Sequence, residues 1–341
     1  MPPNTIDVVG LGQCCLDFIG TIARYPEVDQ KCEASGLTIQ GGGPVATALV
    51  ALARWNLRCA MMGITGDDSF GQEIRVSLEK EQIDIKGLQI RPQSTSQIAF
   101  IVVEQASGRR NIFWQRPQGP SLGAGEIDFA LITRARVLHT DGLFMEAALE
   151  AARVARRSDL PIVVDAGTLR PGMQSLAQHS DYFIASESFG RQLIGRDAPR
   201  QACREIHKMG PRLACITLGA RGFVATYGGR IIEKPAYPVA AVDTTGCGDI
   251  FHAGFIYGVL KGWPLEHSLD FAAWSAAQAS QKLKTGQGCR RLNFLFQTHI
   301  GIPGKQRCDI GGNYATRYLC PECFCRAATA PESPYLPGNC D

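Results

Sequence analysis

Seven residues, Asp243-Thr-Thr-Gly-Cys-Gly-Asp249, combine the residue types that chemistry on a charged group needs. Gly246 and Gly248 flank Cys247 and leave the backbone N–H groups of a strand-to-helix turn bare. The run that follows, Ile250-Phe-His-Ala-Gly-Phe-Ile-Tyr-Gly-Val-Leu260, has the spacing of a buried helix. N–H groups at the positive end of a helix macrodipole stabilise an anion. Such a turn suits a γ-phosphoryl group whose charge redistributes during transfer. Asp249 falls in the first turn of the same helix, where a carboxylate can accept the proton of an attacking hydroxyl. Taken alone, a Gly-x-Gly-Asp tetrad is more often a turn with a helix cap, so the surrounding elements decide.

Those elements alternate. Residues 6–10 read as a first buried strand, and residues 44–55 as a helix with Pro44 in its first turn and apolar residues at helical spacing. Short apolar runs at 59–63, 136–139, 161–165, 181–184 and 214–218 add strands between helical stretches. This order predicts βαβ units, hence an α/β three-layer fold around a mainly parallel sheet. Two segments break the alternation. Residues 15–40 hold two β-like stretches around Tyr25-Pro-Glu-Val-Asp29, and residues 96–115 alternate apolar and polar on either side of Ala106-Ser-Gly-Arg-Arg110. Together they predict a small separate sheet forming a lid over the C-terminal strand ends, where such folds bind ligands; a pair of surface hairpins is the alternative.

Bulk properties narrow the function. A chain of 341 residues with 45% apolar and 20% charged side chains is an ordinary globular protein with room for one large core and an appendage. Its formal charge of +3 comes from scattered Lys and Arg, so no nucleic-acid partner is expected. Met1-Pro-Pro-Asn-Thr lacks the basic start and apolar core of an export signal, and no run approaches the roughly 18 apolar residues of a membrane span. A cytoplasmic protein with no membrane contact is expected. The thirteen cysteines are then read mostly as buried or free thiols. Six of them (Cys289, Cys308, Cys320, Cys323, Cys325 and Cys340) crowd the C-terminal stretch. From about residue 292 that stretch is Gly-, Pro- and Cys-rich without periodicity, which predicts a poorly ordered tail, 292–341, after a domain spanning 1–291. Cys320 and Cys323 with Cys325 look like half of a zinc site, but no second pair follows at ribbon spacing, so no zinc is expected.

The string 243–249 resembles the signature of the ribokinase/PfkB carbohydrate kinase family. Gly41-Gly-Gly-Pro-Val-Ala-Thr-Ala with Gly63-Ile-Thr-Gly-Asp-Asp-Ser-Phe-Gly71 is similar to the family's N-terminal signature, and Thr217-Leu-Gly-Ala-Arg-Gly222 to its nucleotide-side turn. These motifs run in the family's order from residue 6 to about 285. The resemblance implies a ribokinase-like α/β/α sandwich with a β lid, and ATP-dependent phosphorylation of a hydroxyl on a sugar or sugar-like small molecule. It implies ATP and Mg²⁺, admits a monovalent cation such as K⁺, and allows a homodimer formed through the lid.

Carried over position by position, the resemblance makes Asp249 the base and the amides of Gly246, Cys247 and Gly248 an anion hole, with Cys247 where Ala is usual. Asp17 would bind sugar hydroxyls, and Gly41, Gly42 and Gly43 would bring backbone close to the sugar. Thr47 stands in place of the usual Asn, a change shared with sulfofructose-kinase-like members. Lys31, before the second β stretch of the lid, could meet an anionic substituent. Arg170 closes Asp165-Ala-Gly-Thr-Leu-Arg170, similar to an Asp-x-Asn-x-Arg element with Gly167 in place of Asn. Thr217, Gly219, Gly222 and Thr244 would lie on the ATP side. So would Ser186 and Glu187, which stand where the family has Asn-x-x-Glu; the absence of that element leaves the organisation of Mg²⁺ open.

Other nucleotide signatures are absent or incomplete. No Gly-x4-Gly-Lys-[Ser/Thr] string occurs, and Gly10-Leu-Gly12 lacks a third glycine. The six histidines have no metal-ligand spacing, and His252 is expected to pack beside the catalytic turn. Two further readings stay open: a non-catalytic sugar or nucleotide sensor on the same fold, and a nicotinamide-dependent oxidoreductase.

Overall fold

The computed structural model describes residues 6–107 and 109–281. The chain begins with β1 (Ile6–Leu11), β2 (Cys15–Ile22) and β3 (Ala34–Gly42), followed by α1 (Pro44–Arg54), β4 (Cys59–Gly66), α2 (Ser69–Lys80) and β5 (Asp84–Arg91). Next come β6 (Ile98–Glu104), β7 (Arg110–Gln115), α3 (Phe129–Thr133), β8 (Ala135–Thr140), α4 (Met145–Arg157), β9 (Ile162–Ala166) and α5 (Met173–His179). The last part holds β10 (Tyr182–Ser186), α6 (Glu187–Ile194), α7 (Pro199–Lys208), β11 (Leu213–Thr217), β12 (Phe223–Tyr227), β13 (Arg230–Lys234), α8 (Cys247–Leu260) and α9 (Leu265–Ser280). The expected tail at 292–341, with its cysteine cluster, lies outside the described residues.

Among the described residues the central sheet has nine strands in the order β13-β12-β11-β10-β9-β8-β1-β4-β5. Pairing is parallel from β5 through to β11 and antiparallel only at β12 and β13. Every strand anticipated from the apolar runs is present. Strands β5, β12 and β13 add to them, and each had a weak signal. In β5, Asp84-Ile-Lys-Gly-Leu-Gln-Ile-Arg91 is an edge strand laced with charge, and β12 and β13 are short arms joined at Gly228-Gly229. Strand β1 pairs with β4 on one side and β8 on the other, so the direction of winding reverses there. A crevice opens at the C-terminal ends of the strands at such a switch point.

The two segments that broke the alternation form one four-stranded sheet, β3-β2-β6-β7, joined by parallel pairing of β2 with β6. They are therefore not two independent hairpins. Side chains alternate across this sheet. Register puts Asp17 and Ile19 of β2, Ala99, Ile101 and Val103 of β6, and Arg110, Ile112 and Trp114 of β7 on one face. Ile39, Phe18, Phe100 and Phe113 cross the opposite face as a row.

Two helix starts face the crevice. Helix α1 begins with Pro44 at its first position and buries Val45, Ala46, Ala48, Leu49, Ala51 and Leu52. Helix α8 is apolar nearly all round because it lies between the sheet and α9; Phe255 and Ile256 are fully buried. Burying each of these two is worth about 1.5–3 kcal/mol, which anchors the glycine turn in front of the helix.

Gly43 caps α1 with φ 101°, and a Cβ there would meet the Gln13 carbonyl oxygen at 2.5 Å. Both the backbone conformation and the space exclude a side chain. Gly43→Ala is expected to lower unfolding stability by about 1–3 kcal/mol, the range for a residue forced into a disfavoured backbone region. A denaturant midpoint equal to the parent's would show that the turn relaxes freely.

Candidate active site

Gly246 is the N-cap of α8, with φ 74° and no side-chain cap. Asp243 builds the turn from below: buried, it accepts the Thr245 N–H at 2.8 Å, while the Val242 and Asp243 N–H groups donate to Ser280 O at 2.7 and 3.0 Å. The Cys247 N–H donates back to Thr244 O across 3.3 Å, a long bond. Asp249 sits in the first turn of the helix, past the cap, so it is not the capping residue.

Asp249 is half-buried and accepts a hydrogen bond from the Thr47 hydroxyl on α1. Burial holds its carboxyl well above the usual carboxylate range, and the Asp165 and Asp17 carboxylates add to this; the Thr47 bond opposes them and does not prevail. Asp17 lies not in a loop but on the inner face of β2, where burial pushes it to about 6. Asp141 directly follows β8. It accepts the Gln13 and Leu143 N–H groups at 2.8 and 2.9 Å, yet burial still pushes it up to about 7. Asp165, near the end of β9, is also raised by burial, with the positive ends of His252 and Arg170 pulling it back.

His252 packs beneath the turn, as expected. Its Nδ1 lies 2.7 Å from Gly248 O and 3.5 Å from Asp165 Oδ2, and its Nε2 lies 3.3 Å from Ile184 O. His139 of β8 stacks on it with centroids 5.6 Å apart. Burial drives the His139 imidazole down to about 3, so it is neutral at physiological pH.

The other anticipated residues divide into two groups. Gly41 and Gly42 end β3 opposite Leu16 and Cys15, beside Asp17, and half-buried Arg170 lies close enough to Asp141 and Asp165 to act on both. Thr244 stands before the turn. Thr217 ends β11, and Gly219 and Gly222 (φ 57° and 92°) bracket the short helical turn leading to β12. Lys31 is exposed in the loop before β3. Ser186 caps α6, accepting the Phe189 N–H at 3.0 Å and donating to Gly167 O at 2.8 Å; Glu187 pairs with Arg191 and with Arg221. Both polar groups are thus already engaged within the protein.

Sequence reasoning passed over Asp141 and Arg110. Arg110, on the inner face of β7, donates from Nη1 to the Thr244 hydroxyl. Its signal was the alternation Arg110, Ile112, Trp114, which places it on the face carrying Asp17.

Neither a dinucleotide loop nor a metal cage is built from these residues. Gly10 and Gly12 give space for Val45, Leu49 and Asp141, and β1 leads into β2 rather than a helix. Among the described residues no group of three or more His, Cys, Asp or Glu side chains is arranged to hold a metal. The described residues therefore do not fit a protein-made Mg²⁺ cage. The Cys247 thiol is pushed up to about 12, chiefly by burial, which leaves little thiolate to oxidise. The other cysteines among the described residues are free thiols, and no described helix is long and apolar enough to cross a membrane.

A mainly parallel sheet with a glycine-capped helix and a carboxyl near its switch point is the arrangement of an α/β ligand-binding fold. The family profile described as pfkB family carbohydrate kinase matches residues 5–290, and the chain belongs to that family. It is 25% identical over 273 residues to a Bacillus subtilis ribokinase, covering 78% of this chain and 90% of the relative. It is also 25% identical over 282 residues to maize fructokinase-2, covering 76% and 82%. The solved structure of Arabidopsis thaliana ribokinase complexed with ribose and ATP shares the fold at a TM-score of 0.75 and 20% identity, covering 86% of this chain and 98% of that one.

Asp17 carries a pH prediction. Its carboxyl binds a proton more tightly folded (about 6) than at the ordinary value of 3.8. The stability this confers is fully present below the ordinary value and is lost as pH rises through 6. Asp17→Asn removes the charge, so the variant should melt higher than the parent above pH 6 and lose that advantage near pH 4. Parallel melting curves across that window would contradict the buried position of Asp17.

Proposed function

We propose that this protein transfers the γ-phosphoryl group of ATP to a hydroxyl of a sugar or sugar-like small molecule, with Asp249 as general base and the amides of Gly246, Cys247 and Gly248 as the anion hole. The observation that carries this reading is the position of Asp249. It stands in the first turn of α8 directly past the glycine turn, touching Thr47 and within electrostatic reach of Asp17. A raised carboxyl is a better proton acceptor once ionised, and a base works best with its pKa near the working pH. Asp17 offers acceptors to neighbouring sugar hydroxyls, Gly41 to Gly43 let backbone approach them, and Arg170 lies on the same side. ATP supplies the phosphoryl group. The turn's N–H groups meet the charge that develops on it, and the long Cys247 bond to Thr244 is the one an arriving anion would displace. Ribokinase and fructokinase relatives support a sugar as acceptor.

In this reading Thr217, Gly219, Gly222 and Thr244 face the nucleotide, with Ser186 and Glu187 supporting that side through their own contacts. Mg²⁺ would be carried mainly by the phosphates of ATP. A K⁺ requirement and a cytoplasmic location belong to the same reading. The second sheet serves as a lid whose outer row, with Ile39, Phe100 and Phe113 each at least half exposed, suits a second copy of the chain. Phe100→Lys should therefore shift the sedimentation coefficient from dimer to monomer; a parent that already sediments as a monomer would end the dimer proposal.

Asp249→Asn keeps the size of the side chain but removes its basicity. ATP consumption, measured against a panel of sugars and nucleosides, should identify the acceptor. On that acceptor the variant's turnover should fall by about 10²–10⁴, with ATP affinity nearly unchanged and a melting temperature at neutral pH no lower than the parent's. Equal turnover in variant and parent would remove Asp249 from the chemistry.

A further inference from the structure

Asp17 is held differently from the other carboxyls of the site. Asp141 accepts two backbone N–H groups, and Asp165 lies near the charges of His252 and Arg170. Among the described residues Asp17 accepts one hydrogen bond, from the Cys15 thiol to Oδ1 at 3.1 Å, and no cation pairs with it. Cys15 and Asp17 are two residues apart on β2 and so share a face of the small sheet. Gly42 stands opposite Cys15, and a Cβ there would overlap both oxygens of the Asp17 carboxyl. The carboxyl therefore lies against the Gly42 backbone and leans along the strand toward the sulfur. Its cross-strand neighbours, Gln40 of β3 and Ala99 of β6, are uncharged, and from α8 the Asp249 carboxyl lies within electrostatic reach. The adjacent thiol of Cys14 turns elsewhere, donating to Ile64 O at 3.7 Å.

Burial, with the Asp17 carboxylate adding to it, holds the Cys15 thiol well above the ordinary thiol range. The sulfur thus keeps its proton and remains a donor. A donor to an ionised carboxyl favours the ionised form, so the thiol opposes the burial that pushes Asp17 to about 6. With Oδ1 turned to the sulfur, Oδ2 has no donor among the described residues.

We propose that Cys15 is a positioning residue for the acceptor: its thiol fixes the rotation of the Asp17 carboxyl and leaves Oδ2 to accept hydrogen bonds from the hydroxyls of a sugar-like molecule. This rests on the phosphotransfer reading above. The thiol acts through Asp17 and not on the phosphoryl group, so its effect falls on KM for the acceptor and not on kcat. Without it, the ionised carboxyl loses its one donor and binds its proton more tightly. Acceptor binding then weakens at pH values where the parent still binds.

The test compares the parent with Cys15→Ala, Cys15→Ser and the control Cys14→Ala, and places Cys15→Ala on Asp17→Asn as well. Melting temperature verifies folding. KM and kcat are measured, across the pH range in which Asp17 titrates, on whichever sugar of the panel the parent phosphorylates best. Carbon NMR of labelled aspartate follows the Asp17 carboxyl without turnover, its signal assigned by its loss in Asp17→Asn. Cys15→Ala should raise KM at neutral pH by about tenfold, as for loss of one hydrogen bond to a charged group, with kcat little changed. The Asp17 titration should move upward with it. Cys15→Ser replaces the thiol by a hydroxyl donor and should recover most of both effects, while Cys14→Ala should keep the parent's KM. On Asp17→Asn, Cys15→Ala should add nothing further to KM. A folded Cys15→Ala with the parent's KM and the parent's Asp17 titration overturns the assignment and leaves the kinase reading standing. So does a rise in KM that persists in full on Asp17→Asn, because the thiol would then act by packing alone. A parent that consumes ATP with no member of the panel sinks the kinase reading, and the acceptor role of Cys15 with it.

Discussion

Everything at the site depends on how the N-terminus of α8 is seated. The helix is apolar nearly all round and held between the sheet and α9, so its position follows from burial and not from contacts at its tip. The tip is therefore free to be built for chemistry. A left-handed glycine starts it, and the Asp249 carboxyl lies near Thr47, Asp17, Asp141 and Asp165. His252, one turn further along, ties Gly248 to Asp165 and to β10. That contact fixes the rotation of the helix as well as its depth, and rotation decides whether Asp249 faces Thr47 or the sheet.

This seating gathers Asp17, Asp141, Asp165 and Asp249: desolvation raises all four, the other three add to Asp249, and Asp165 adds to Asp141. Such a group does not serve stability, because a buried carboxylate prefers its neutral form. Local N–H donors offset part of the cost at Asp141, and the charges of His252 and Arg170 offset part at Asp165. At Asp249 only the Thr47 hydroxyl opposes the shift. Asp17 likewise has one opposing contact, the Cys15 thiol, so proton uptake is favoured at both Asp17 and Asp249.

Much of this was legible in the chain. The parallel core followed from strong apolar runs between helical stretches, and both lid segments followed from a change of period from helical to alternating. The glycine turn and Asp249 stood out because their residue types are unusual together. Strand β5 escaped because its charged edge hides the alternation, and β12 and β13 because each arm is short. Asp141 escaped because nothing local distinguishes an aspartate after a strand; only the approach of Gln13, 128 residues away in sequence, gives it a role. Ser186 and Glu187 show the reverse. They occupy the place of a motif whose named residues are absent, and their polar groups close contacts that no alignment of strings can reveal.

The small sheet joins two charged groups near the turn through one hydrogen-bonded ladder. Asp17 and Arg110 stand on the same face of the small sheet, two strands apart. Along β6 their partners Ala99 and Val103 are four residues apart, which is about 13 Å at the usual strand rise. One end of this face thus carries a carboxyl within electrostatic reach of Asp249, and the other a guanidinium that donates to Thr244 beside the glycine turn. The ladder between them fixes the spacing of the two groups, so neither can be repositioned relative to the turn without shifting the other.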